Sequence, residues 1–241
     1  MVSNYKWPIM YRKIAFLLVL VLTVFIPGLT PAQSPEEAVD MNRIPQKAVR
    51  ELVRKEKIKT ATDFQHIATA CYRVEDSVRY QTNLRTFVVK ARIGKVWEKY
   101  INMTPKKAWS GSTVNFGFLF SRPKNKFIYA ENANDPIREG NIIYVNLRLF
   151  KGLKNLGVAF EITRLDEANK IICFCYLKDG VSNGSQEIRF TEMANGDTRI
   201  SHVTHYRSHS AFRDKELYPL FHDKFVGEFH QNILSQIETG L

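Results

Sequence analysis

Six histidines, three cysteines and a dense set of aromatic residues are the parts of this sequence that could do chemistry. His66 stands alone. His202, His205 and His209 fall on the last strand and just past it, and His222 and His230 fall on a long C-terminal helix. Alternation along a strand puts Ile200, His202, Thr204 and Tyr206 on one face and Ser201, Val203, His205 and Arg207 on the other. His202 and His205 therefore diverge, whereas His205 and His209 share a face if the strand continues that far. His222 and His230 are eight residues apart, about 80° around a helix. A zinc site needs ligands converging with a fixed geometry, so neither a metal nor a cofactor is expected. The face carrying Ile200, His202 and Tyr206 reads as the interior side, which makes His202 and Tyr206 candidates for orienting a ligand.

Cys71, Cys173 and Cys175 are too few and too widely spaced for a disulfide framework. Cys173 and Cys175 lie two apart on a strand and so share a face. Free buried thiols, or one bridge from Cys71 to either of the pair, are both open. No Gly-x-Ser-x-Gly elbow, phosphate-binding glycine loop or His-Glu-x-x-His motif is present. The acids are scattered. Glu187 and Arg189 form a solvated face opposite Ile188 and Phe190, which turns Ile188 inward. The 16 Phe and 10 Tyr say more. Phe116, Phe118 and Phe120 share a face of one strand, Phe174 and Tyr176 share a face of another, and Tyr144 sits on a third. Such residues can wall a pocket in which a few polar groups orient a ligand.

The elements that must position these residues begin after residue 32. Residues 1–32 read as a signal peptide: Lys6, Arg12 and Lys13 precede an apolar run over 14–26, and Thr30, Pro31 and Ala32 offer small residues for cleavage. As a helix the run spans ~20 Å, short of the ~30 Å hydrocarbon core. The expected location is therefore exported, periplasmic or secreted. The alternative is an uncleaved N-terminal membrane anchor. Losing the leader removes three positive charges and no negative one, so the formal +11 becomes +8. The basic segment 50–59 could meet an anionic membrane surface. No nucleic-acid partner is expected, because no zinc-finger, RNP-type or basic-zipper pattern occurs.

Residues 33–79 read as a linker and helical extension with a thin apolar stripe, in which Thr62 or Asp63 caps a second short helix. A strand is expected over 80–90, a helix over 91–102 and a short helix from Thr104-Pro105. Strands follow at 113–120, 126–130, 141–150, 157–165, 170–177, 185–191 and 198–207, with Asn195-Gly196 as the strongest hairpin signal. One helix spans 214–238, with Leu217, Phe221, Phe225, Phe229, Ile233 and Ile237 recurring every fourth residue and Leu220 widening the stripe. Its polar side carries Asp223, Lys224 and Glu228. A helix this apolar must lie on the sheet.

This order resembles the helix-grip fold of the START-like (SRPBCC) superfamily, which includes polyketide cyclases and lipid-transfer domains. ARIGKVWEKYIN at 91–102 resembles the superfamily's first helix. The block 176–208 is similar to the C-terminal half of a family of unassigned function within it, through Gly184-Ser185-Gln186-Glu187-Ile188-Arg189-Phe190 and then Gly196-Asp197-Thr198. The resemblance covers roughly residues 78–240 and implies an α+β fold: a curled antiparallel sheet of six to seven strands around a long C-terminal helix. In that fold the helix closes a cavity, which adds Phe225 and Phe229 to the lining candidates. The leading functional expectation is an exported protein that binds a hydrophobic or amphipathic, lipid-like small molecule between sheet and helix. One alternative is an enzyme of cyclase or hydrolase type using His202, Tyr206 or a buried carboxylate. Another is an envelope interaction module acting through 33–79, which would then be removable without loss of folding.

Overall fold

The computed structural model describes residues 36–238, so the expected leader lies outside the described residues. Helices α1 (Lys47–Glu56) and α2 (Ala61–His66) come first, then β1 (Gln81–Val89), α3 (Ile93–Ile101) and α4 (Pro105–Ala108). The strands β2 (Val114–Ser121), β3 (Lys126–Tyr129), β4 (Asn141–Leu149), β5 (Lys154–Asp166), β6 (Ile171–Tyr176), β7 (Asn183–Glu192) and β8 (Thr198–Arg207) follow. A π-helical turn, Arg213–Leu217, leads into α5 (Tyr218–Glu238). This is the expected α+β helix-grip arrangement. The sheet has eight strands rather than six or seven, in the order β1-β8-β7-β6-β5-β4-β2-β3 with every neighbour antiparallel.

Local chemistry explains the boundaries. Thr60 caps α2 through a reciprocal box with Asp63, one turn earlier than the sequence suggests. Pro105 opens α4 behind Thr104 as expected. Gly196 takes φ +83° in the β7–β8 hairpin, a conformation that favours glycine.

Around β2 and β4 the sheet is buried on both faces, whereas Leu84 (59%) and Val88 (57%) of β1 are exposed. Its inner face packs α3, α4 and α5 into the main core, which includes Trp97, Tyr100, Trp109, Phe116, Phe160, Phe174, Ile188 and Phe229. Its outer face is covered by the segment before β1. Val49, Leu52 and Val53 of α1 and Phe64 of α2 pack there against Phe118, Phe120, Phe127 and Tyr144. Burying each such side chain contributes roughly 1.5–3 kcal/mol. The expectation that 33–79 is a linker removable without loss of folding is therefore corrected: from residue 36 onward this segment carries half of a second core. Cys71 is bonded to Cys175 and Cys173 is free, which settles the pairing left open above. The same stretch is stitched to the end of β6 by Ala70 N–H to Tyr176 O at 2.8 Å and Lys178 N–H to Ala68 O at 2.8 Å.

Two expected alignments fail. Register shifts between Phe116 and Phe118, so Gly117 is a bulge. Phe116 faces the inner core, while Phe118 and Phe120 turn to the outer one. Tyr144, expected in the pocket wall, also lies on the outer face, fully buried, with its hydroxyl donating to Glu56 Oε2 at 2.9 Å.

Two predictions test this outer layer. A Cβ at Gly157 would meet the carbonyl oxygen of Ala48 on α1 well inside van der Waals contact. Gly157→Ala should therefore lift α1, lower stability by about 1–3 kcal/mol and speed proteolysis of 36–66, read by urea melts and limited digestion. Burial raises the Glu56 carboxyl to about 7, against the hydrogen bond from Tyr144. The unfolded chain releases this proton near pH 4.5 and the folded chain near 7, so stability falls as pH rises between those values. Glu56→Gln should gain about 1–3 kcal/mol over wild type across that window, with the gain constant above pH 7.

Candidate functional site

Two side chains of α5 hold the helix across the inner face. Asp223 accepts from Asn83 and Arg85 of β1, at 3.2 Å each. Glu228, expected on a solvent face, instead accepts from Thr113 N–H at 2.8 Å and Val114 N–H at 2.9 Å, and from the hydroxyls of Ser112 at 2.9 Å and Thr113 at 2.5 Å. Burial works to raise the Glu228 carboxyl and is outweighed by these bonds, which hold it low. The buried stripe of the helix is His222, Val226, Phe229, His230, Ile233 and Ile237, and Leu220 is 64% exposed. Of the recurrence read from Leu217, Phe229, Ile233 and Ile237 are in this stripe, and Leu217, Phe221 and Phe225 are half-buried.

Between this stripe and β4, β5 and β6 the packing is incomplete. An outer chamber of about 420 Å³ runs from the π-helical turn and the β4–β5 connection inward, with walls that include Leu149, Phe150, Leu156, Val181 and Phe221. It adjoins an inner chamber of about 70 Å³ walled by Trp109, Val114, Val145, Phe160, Phe174 and Phe229. Leu147, Val158, Tyr176, His222 and Phe225 line both. Lys55, Lys154, Arg213 and His209 line the outer chamber, and among the described residues no carboxylate does. Beside it stand exposed apolar side chains: Phe150 (54%), Leu153 (92%) and Phe212 (65%).

Of the residues expected to line a pocket, the structure brings five together there: Phe174, Tyr176, His202, Phe225 and Phe229. Phe116 and Ile188 are on the correct face but are packed into the main core without lining the cavity. Tyr206 lies behind it: its ring stacks on Tyr218 at 3.6 Å between centroids, and its hydroxyl donates to Asp214 O at 2.9 Å. Tyr144 is on the other side of the sheet, as described above. The scattered carboxylates are held in ion pairs, and Glu187 and Arg189 pair on the face expected for them. Glu161 meets Arg122 at 3.2 Å, and Glu187 meets Arg189 at 2.8 Å.

The inner wall carries a line of polar side chains, of which sequence reasoning named Tyr176 and His202 and missed the rest. The Tyr100 hydroxyl is 2.6 Å from His230 Nδ1, and His230 Nε2 is 2.9 Å from His202 Nδ1. His202 Nε2 is 2.8 Å from Gln186 Oε1, and Gln186 Nε2 donates to the Tyr176 hydroxyl at 3.0 Å. The Tyr176 and Tyr218 hydroxyl oxygens are 2.6 Å apart. His222 completes the histidine cluster, its ring 6.2 Å from that of His202 and its Nε2 3.4 Å from Thr204 Oγ1. Burial pushes His222 and His230 down to about 3. Burial, and then the neighbouring histidines, push His202 well below the ordinary value. Burial raises Tyr176 to about 12 and raises Tyr218 as well. Both ring nitrogens of His202 are hydrogen-bonded and the cluster is neutral. Among the described residues, no group of three or more His, Cys, Asp or Glu is arranged to hold a metal ion.

No family model matches this sequence, and no curated protein is similar to it. Solved structures with a similar chain path include a norcoclaurine synthase from Thalictrum flavum, with 12% identity, a TM-score of 0.49, and 70% of this chain and 94% of that one covered. An aromatase/cyclase from Streptomyces shares 12% identity with a TM-score of 0.47, covering 66% of this chain and 94% of that one. A major latex-like protein from Panax ginseng shares 11% identity with a TM-score of 0.46, covering 66% and 97%. The fold assignment itself rests on the strand order and the gripping helix.

The histidine cluster makes the protein acid-sensitive. The unfolded chain takes up these protons near pH 6.5; the folded chain takes them up only near 3 at His222 and His230, and well below the ordinary value at His202. Their stabilisation is complete above pH 6.5 and is lost as pH falls, with Glu56 acting in the opposite sense. His222→Leu removes one such proton. From pH 6.5 to 5 the variant should lose about 1–2 kcal/mol less stability than wild type, measured as urea midpoints across that range.

Proposed function

We propose that this is an exported protein that binds a hydrophobic or amphipathic small molecule between its sheet and last helix. One observation carries the reading: the 420 Å³ chamber has apolar walls, a few convergent polar groups at its inner end, and basic residues at its outer end. That is the composition of a small-molecule site. Export is supported by residues 1–32 and by the Cys71–Cys175 disulfide, since such bonds persist mainly in oxidising compartments. The exposed Arg54, Lys55, Lys57 and Lys59 favour contact with an anionic membrane surface. Acid–base catalysis by His202 or Tyr206 is less well supported. His202 has no free ring nitrogen, and Tyr206 is engaged with a backbone carbonyl outside the cavity.

Native mass spectrometry of the purified protein should show a co-purifying or added apolar ligand at one per chain. Val158→Trp, which fills the junction of the two chambers, should abolish that adduct while leaving the circular dichroism spectrum unchanged. A wild-type protein that takes up no apolar molecule, or a variant that binds as well as wild type, would overturn the reading.

A further inference from the structure

The hydrogen bonds along the inner wall have a direction. Tyr100 is buried in the main core, and among the described residues its hydroxyl meets only His230 Nδ1. A buried O–H without an acceptor is costly, so Tyr100 donates and His230 Nδ1 accepts. A neutral imidazole carries one proton. His230 therefore bears its proton on Nε2 and donates to His202 Nδ1. His202 in turn bears its proton on Nε2 and donates to Gln186 Oε1. This orients the amide so that its nitrogen donates to Tyr176. Of the two directions open to the Tyr176–Tyr218 bond, the one that runs cooperatively with the rest of the relay has Tyr176 accept from Gln186 and donate to Tyr218. The Tyr218 O–H is then the one proton of the relay with no acceptor among the described residues. Reversing the relay would move that unpaired O–H to Tyr100, in the packed core. Tyr218 lines the outer chamber, where an incoming molecule can supply the missing acceptor.

We propose that Tyr218 is the polar anchor of the cavity, and that the ligand is an apolar molecule carrying an acceptor oxygen, as a carbonyl or a carboxylate, which takes the Tyr218 hydrogen bond. Lys154 and Arg213 in the same chamber, with no carboxylate beside them, suit either form. Tyr100, His230, His202 and Gln186 are positioning residues: each sets the proton of the next. The inference rests on the cavity binding an apolar molecule, as proposed above, and adds what that molecule must carry.

The test uses the full chain and three ten-carbon probes, decane, 2-decanone and decanoate, each displacing the fluorescent reporter N-phenyl-1-naphthylamine. Tyr218→Phe should weaken 2-decanone, decanoate or both by about fivefold to tenfold, the worth of one hydrogen bond, and leave decane unchanged. A response confined to 2-decanone assigns a carbonyl and one confined to decanoate a carboxylate; either supports the anchor. The carbonyl stretch of bound 2-decanone should lie lower in wild type than in Tyr218→Phe. Tyr100→Phe, which frees the relay to reverse, should weaken the same oxygenated probes to a smaller extent and spare decane. Equal weakening of decane by Tyr218→Phe, or no change in either oxygenated probe, would overturn the anchor while leaving the cavity reading intact. Failure of all three probes to bind wild type would overturn both.

Discussion

The structure depends on how α5 is held. Two of its carboxylates reach opposite ends of the sheet: Asp223 to β1, the edge strand on one side, and Glu228 to the start of β2, next to the other edge. The two ties are unequal. The Arg85–Asp223 pair is substantially exposed, and pairs of that kind are worth about 0–1 kcal/mol. Glu228 accepts from three backbone N–H groups and two hydroxyls in a partly buried setting, where charge-assisted bonds are stronger. Glu228 is therefore the main fastening. It fixes the rotation of α5, and that rotation puts His222 and Phe225 over the cavity and His230 within reach of His202.

The second organising fact is that the sheet has two covers. An antiparallel sheet with one wet face shows a clean alternation of apolar and polar residues. Here α1 and α2 occupy the face that would otherwise be wet. β4 is accordingly buried at six consecutive positions, Asn141 to Asn146. The outer cover stiffens the wall against which the cavity is formed, because Gly157 of β5 lies directly under α1 while its neighbour Val158 lines both chambers.

Much of this could be read from the sequence, and the failures have physical causes. The strands and their turns were legible because β8 alternates buried and more exposed residues without a break and Asn195-Gly196 marks its hairpin. His202 was placed on the correct face by that alternation alone. Tyr144 was misplaced because a strand buried on both sides carries no signal of which face is which. Phe118 and Phe120 were misplaced because one extra residue at Gly117 reverses every side chain after it. The histidine cluster was invisible because His222 and His230, 80° apart on a helix, converge only on a third histidine from a strand. The role of Glu228 was hidden because its partners are mainly backbone groups, which no residue pattern announces.

The disulfide has a topological consequence. Joining Cys71 to Cys175 closes a covalent ring spanning 104 positions, from the N-terminal strap through β6. Everything after Cys175 hangs outside the ring, including Gln186, His202, Tyr218 and the whole of α5. Cross-linking a loop of this length restrains the unfolded chain by roughly 4–5 kcal/mol in the chain-entropy account, and that restraint falls on the wall of the cavity. The helix that roofs it is a free tail with respect to the ring. Local opening draws on the least constrained parts of a structure, and the parts outside the ring are α5 and the two strands, β7 and β8, that carry Gln186 and His202.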